Sequence, residues 1–130
     1  MAAPSRLLAN APVLLVRDVV AAAGRYRDAL GFSYDRFYGE PPGFVILVRD
    51  AMHLMLKQVE AGVPVATHRE LAGGLWSAYF WISDADALHA EFVARGATIS
   101  YAPCDQFYGC REFAVRDLDG HDIGFGQVLK

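Results

Sequence analysis

Cysteine is scarce in this 130-residue chain: Cys104 and Cys110 are the only two. Their spacing is not CxxC, so neither a disulfide scaffold nor a paired-thiol redox or zinc motif is indicated. They read as two free thiols of a cytoplasmic protein. No apolar run approaches membrane-spanning length, which argues against a membrane partner. The opening MAAPSRLLANAP is too short and too weakly apolar for a signal peptide. Basic clusters are missing too. The net charge is −3 with Lys and Arg scattered, whereas a nucleic-acid partner wants a basic stripe for its phosphates. There is no GxGxxG and no P-loop, so no nucleotide cofactor is implied. No long polar tract suggests disorder. What remains is an apolar fraction of 54% in a chain long enough to bury a core as one domain, residues 1–130.

The chain contains one module written twice. APVLLVRDVVAAAGRYRDALGF begins at Ala11 and SAYFWISDADALHAEFVARGATI at Ser77. The endings match as well, DAMHLMLKQ from Asp50 and DGHDIGFGQ from Asp119. Asp18 pairs with Asp84, Gly31 with Gly96, Asp50 with Asp119 and Gln58 with Gln127. A repeated unit must bury its faces against its twin, and the seam between copies is where a cleft is expected.

Local chemistry predicts the elements. Pro12 to Val16 reads as a strand. Asp18 is placed to cap a helix whose apolar positions Val19, Ala22, Ala23, Tyr26 and Leu30 recur at helical spacing, with Gly31 as a left-handed stop. Phe32 to Tyr38 reads as a second strand, Glu40-Pro41-Pro42-Gly43 as a turn. Phe44 to Val48 and His53 to Lys57 form a hairpin around Arg49-Asp50-Ala51. The second copy repeats the order. Trp76 to Ser83 is a strand, Asp84 or Asp86 caps a helix with the stripe Ala85, Leu88 and Phe92, and Gly96 ends it. Ala97 to Tyr101 is a strand and Cys104 to Gly109 a loop. Arg111 to Arg116 and Asp122 to Gln127 are a hairpin around Asp117-Leu118-Asp119-Gly120. The modules are thus 11–58 and 76–128, with 59–75 as linker and a mobile stretch expected near Gly73-Gly74.

PVLLVRDVVAAAGRYRDALGF and GCREFAVRDLDGHDIGFGQ carry a resemblance to the vicinal oxygen chelate superfamily, which includes glyoxalase I, extradiol dioxygenases and bleomycin resistance proteins. The resemblance spans Ala11 to Val128. It implies an α+β fold in which two βαβββ modules form a curved mixed sheet around a cleft. Enzymes of the superfamily hold a divalent metal through His and Glu at equivalent places in both modules. Here those places carry Ala11, Met55, Ser77 and Gly124, none a ligand of the expected type. His53 and Asp122 lie two residues away with the same strand parity and offer two donors at most. No metal and no cofactor is therefore expected.

Strand alternation assigns the cleft. Ala11, Val13 and Leu15 face it from the first strand, and Ser77, Tyr79 and Trp81 from its counterpart, while Leu14, Val16, Phe80 and Ile82 face the core. His53, Met55, Asp122 and Gly124 join the cleft side from the closing strands. Phe37, Tyr38, Phe107 and Tyr108 are candidate rim aromatics, and Arg111 and Glu112 are strand charges placed either to orient a ligand or to pair across the sheet. Small residues would open volume and aromatics would offer stacking surfaces, as suits a large planar ligand. Weighed against this, Tyr79 and Trp81 fit an ordinary core, Met55 fits as filler, His68 and His89 read as surface residues, and His121 reads as a solvated turn residue. Asp117 and Asp119 read as turn formers. Ser77 has no His and Asp arranged behind it in sequence, and Cys110 beside Arg111 is the remaining candidate nucleophile.

Within the superfamily, the PVL…RDV opening, YFW and GCREFAVRDLDG resemble the bleomycin resistance branch. That likeness implies a small homodimer with two equivalent clefts at its interface, each built by modules of both chains, trapping an antibiotic unaltered. Gly124 and the modest charge depart from the acidic cleft a cationic glycopeptide would want, so a planar enediyne or quinone fits as well. The reading is metal-independent sequestration of a natural product. Set against it are a small-molecule enzyme, metal-dependent through His53 and Asp122 or metal-free, and a biosynthetic carrier.

Overall fold

Asp18 and Asp84 begin equivalent helices, each carboxylate accepting from the amide three residues on, at 3.1 and 3.0 Å. In the computed structural model, which describes residues 3–130, these helices are α1 (Val19–Leu30) and α3 (Ala85–Ala94). Gln58 and Gln127 complete the caps. Each side-chain oxygen accepts from a first-turn amide, Val19 and Ala85 respectively, at 2.9 Å. The repeat's Asp and Gln landmarks are therefore one device: two acceptors satisfying the free amides that open a helix.

The first module comprises β1 (Val13–Val16), α1, β2 (Phe37–Tyr38), β3 (Phe44–Arg49) and β4 (Met52–Gln58). The second comprises β5 (Ala78–Trp81), α3, β6 (Thr98–Asp105), β7 (Cys110–Arg116) and β8 (Asp122–Val128), and between the modules lies α2 (His68–Ala72). The eight strands divide into two mixed four-stranded sheets, ordered β1-β4-β3-β2 and β5-β8-β7-β6. In each, the first strand runs parallel to the last of its module and the other pairs are antiparallel. The fold is the expected α+β one.

Five local expectations change. The second module's first strand shortens from Trp76–Ser83 to Ala78–Trp81. The second strand shortens from Phe32–Tyr38 to Phe37–Tyr38, with one bridge at Ser33 to Val48, because Phe32 turns into the core. The hairpin turn narrows to Asp50 and Ala51, both at positive φ (50° and 65°), as a two-residue turn requires. The Cys104–Gly109 loop also shortens. β6 runs on through Cys104 and Asp105, which pair with Glu112 and Arg111, and its register breaks absorb Pro103 on an edge strand. The linker carries a helical turn, since Thr67, buried, caps α2 by accepting from the Glu70 amide at 3.2 Å.

Both helix-bearing sheet faces share one core. Leu14, Val16, Leu54 and Leu56 from the first module join Phe92, Phe113, Ile123 and Phe125 from the second. Phe113 stacks on Phe125 with centroids 5.3 Å apart. Each helix also reaches the other module. Tyr26 of α1 donates to Asp117 at 2.7 Å and Arg25 to the Gly96 carbonyl at 2.9 Å, while Glu91 of α3 holds Arg49 through two contacts of 2.8 Å. Each sheet is left with one face free.

Candidate functional site: the free sheet faces

Register sorts the second module's free face into rows. Tyr79 lies opposite Gly124, which lies opposite Ala114, which lies opposite Tyr101. One row on, Trp81, Gly126, Glu112 and Cys104 follow. The glycines are the floor. A Cβ on Gly124 would meet Tyr79 at 2.6 Å and Trp76 at 2.7 Å, and one on Gly126 would collide with the Tyr79 hydroxyl. Tyr79 therefore lies flat along β8. Its ring meets Trp76 at 4.6 Å and Trp81 at 5.5 Å between centroids, both edge to face. Gly124, expected to open volume, instead seats two aromatic rings.

Glu112 stands at the centre of this face and is only 1% exposed. Its carboxylate accepts from the hydroxyls of Tyr79 at 2.9 Å, Tyr108 at 2.6 Å and Tyr101, which in turn accepts from the Trp76 indole at 2.8 Å. A carboxylate taken out of water needs such donors. Its sequence neighbour Arg111 supplies none, because alternation puts Arg111 on the opposite face, paired with Asp86 and Asp105 at 3.0 Å. Burial and Glu112 together push the Tyr79, Tyr101 and Tyr108 phenols above their ordinary range.

The next row toward the start of β5 is polar. Asp122 is buried, held by Arg116 at 2.9 Å and Ser100 at 2.9 Å. Ser77 bonds to His121 Nδ1 at 2.9 Å. The other ring nitrogen lies 2.7 Å from the Leu15 carbonyl, which can only accept. That contact puts a proton on Nε2, and in the neutral ring it leaves Nδ1 to accept from the Ser77 hydroxyl. His121 is thus a buried inter-module tie, not a solvated turn residue, and a histidine does stand behind Ser77.

On the first module's free face, Val13, Met55 and Ile46 are cross-strand neighbours, as are Val48 and His53. Val13 is 54% and Leu15 45% exposed, and Tyr38 is exposed beside Phe44. Of the sequence-predicted residues, Tyr38, His53 and Met55 gather on this face; Ser77, Tyr79, Trp81, Tyr108, Asp122 and Gly124 gather on the other. Phe37 turns to the core side and packs against Tyr34, Phe107 stands outside at 97% exposure, and Arg111 lies behind the sheet. Glu112 as a centre, Tyr101 and Trp76 were missed. Alternation along β7 places Glu112 with Ala114 and would have found it, whereas Tyr101 depends on a register break in β6.

The donor set does not fit a divalent metal of the superfamily's kind. Ala11, Met55, Ser77 and Gly124 offer no carboxylate or imidazole, and Asp122 is committed to Arg116 and Ser100. Among the described residues no three His, Cys, Asp or Glu side chains converge.

Residues 9–125 match the family model described as the glyoxalase/bleomycin resistance protein/dioxygenase superfamily. Among solved structures, the bleomycin-binding protein from bleomycin-producing Streptomyces verticillus, complexed with copper(II)-bleomycin, is 30% identical. It aligns over 94% of this chain and 97% of its own, with a TM-score of 0.70. TioX from Micromonospora sp. ML1 is 23% identical over 94% and 99%, with a TM-score of 0.71. Lactoylglutathione lyase from Agrobacterium tumefaciens is 18% identical over 95% and 94%, with a TM-score of 0.65. These two likenesses speak to fold alone. No curated protein matches.

Proposed function

Because this chain belongs to the glyoxalase/bleomycin resistance protein/dioxygenase superfamily, we propose that it binds and sequesters a natural-product antibiotic without metal and without altering it, conferring self-resistance in the cytoplasm. The ligand is bleomycin-like or a planar aromatic such as an enediyne or quinone. The observation that carries this reading is the second module's free face: aromatic rings laid on a glycine floor where the superfamily's metal ligands would stand, with Trp81 exposed at 72%. The 30% identity to a bleomycin-binding protein supports it.

A complete cleft takes two copies. Val13, Leu15 and Trp81 are too exposed for the free faces to close on each other within one chain. In a homodimer the apolar first-module face of one chain covers the aromatic second-module face of its partner, making two equivalent clefts. Micromolar capture requires about 8 kcal/mol, within reach of a buried planar ligand with a few directed hydrogen bonds.

The test is titration of metal-stripped protein with bleomycin and with a planar quinone antibiotic, followed by tryptophan fluorescence, with mass spectrometry of the recovered compound. Saturable binding with the compound returned unchanged is expected. Binding or conversion that needs added metal would place the chain among the superfamily's enzymes instead.

A further inference from the structure

The repeat gives the molecule two equivalent seams between modules, and only one is sealed. Leu15 and Arg17 correspond to Trp81 and Ser83, and Asp119 and His121 correspond to Asp50 and Met52. On the sealed seam two groups on the outer edge of β1 are engaged. The Arg17 amide donates to Asp119 at 2.8 Å, and the Leu15 carbonyl accepts from His121 Nε2 at 2.7 Å. On the other seam, the Ile82 amide donates inward to the Gly126 carbonyl at 2.9 Å. Strand geometry therefore turns the Trp81 carbonyl and the Ser83 amide to the outer edge of β5. Their counterparts do not reach them: the Asp50 side chain is exposed and turns to Arg49 at 3.5 Å, and the Met52 side chain carries no N–H. Among the described residues no protein group bonds either one.

Beside this unpaired edge lies a cavity of about 430 Å³, walled by Phe32, Phe80, Ile82, Leu88 and Phe92. Its charged lining is engaged already: Arg49 and Glu91 hold each other through two contacts of 2.8 Å, Asp50 turns to Arg49, and Asp84 caps α3 through the Ala87 amide. A volume of this size with apolar walls and a few directional polar groups suits a small molecule. Main-chain donors and acceptors at a strand edge recognise an extended amide. We propose that this open seam is a second small-molecule site, behind the free sheet face and meeting it only at Trp81, taking an uncharged aromatic compound with a peptide-like edge. One carbonyl of the compound accepts from Ser83, one N–H donates to Trp81, and the ring fills the phenylalanine-lined space. The sealed seam is the template: there, Asp119 and His121 play the parts that the ligand plays here.

The probe is N-acetyl-L-phenylalaninamide, titrated into the intact protein and followed by amide chemical shifts. Methyl 3-phenylpropanoate, which keeps the ring and an acceptor but lacks an N–H, is the control. Saturable shifts centred on the Trp81, Ser83 and Leu88 amides are expected, with affinity at least tenfold weaker for the ester. Ala87→Trp fills the cavity from the exposed side of α3, and Met52→His offers Trp81 the donor that His121 gives Leu15. Each should weaken the probe at least tenfold. Absence of saturable shifts at accessible concentrations overturns the proposal. So do shifts centred on Tyr79 and Glu112, or affinity unchanged in Ala87→Trp. Should Ala87→Trp lose its folded spectrum, unchanged affinity in Met52→His overturns it equally.

Discussion

Glu112 has three phenols for company and no cation. Hydrogen bonds to a charged group contribute about 1.5–3 kcal/mol each, and removing the acceptor strands its donors. Glu112→Ala should therefore lower unfolding free energy by about 3 kcal/mol in denaturant melts, a large effect for one residue. The phenols set a pH limit as well. Burial first, then Glu112, raises their folded pKa above the value of about 10 in an unfolded chain. Their contribution is fully present below pH of about 10 and is lost as pH climbs through the folded values, because only the unfolded chain releases those protons early. Stability curves at increasing alkaline pH should fall from about pH 10, and less steeply in Glu112→Gln. Trp81 behaves oppositely to Glu112. Its ring is exposed, so Trp81→Ala should leave the melting temperature nearly unchanged while weakening antibiotic by at least about 1 kcal/mol in the same fluorescence or calorimetric titration.

Among elements, β8 is the most constrained. Gly126→Ala would drive a methyl into the Tyr79 hydroxyl and break its bond to Glu112. A loss of about 2 kcal/mol is expected. A double-mutant cycle with Tyr79→Ala should show the two changes to be strongly non-additive. The Asp caps were legible in sequence because they are local, each Asp lying three residues before its amide; Gln58 and Gln127 were legible only as repeat landmarks, because they reach Val19 and Ala85 across 39 and 42 residues. The run of β6 was not legible. Its register breaks follow from cross-strand partners Glu112 and Arg111, which only the folded sheet brings alongside. The short helix α2 hid in the linker for a related reason: five residues carry too little periodicity, and the cap at Thr67 had no apolar stripe to announce it.

At the scale of the whole molecule, alternation along β1 and β5 separates free-face residues from core residues but does not say on which sheet each free face lies. Tyr79 and Met55 were both assignable to a cleft side, yet they stand on separate sheets whose helix-bearing faces share one core. Nor could spacing reveal that His121 turns inward, since its partner, the Leu15 carbonyl, lies in the other module. The exposed first-module face carries a prediction. Met55→Asp puts a charge between the apolar side chains of Val13 and Ile46, its direct cross-strand neighbours. In analytical ultracentrifugation the native chain should sediment as a dimer and this variant as a folded monomer that no longer retains antibiotic.

The ring of Tyr79 lying over Gly124 also orders the mutational routes open to this lineage. A glutamate at position 124, however advantageous to a metal enzyme, has no room until the rings of Tyr79 and Trp76 have gone. Removing Tyr79 first takes a donor from Glu112. A first change at either Gly124 or Tyr79 therefore passes through a less stable protein, and the two positions are bound to change together or not at all.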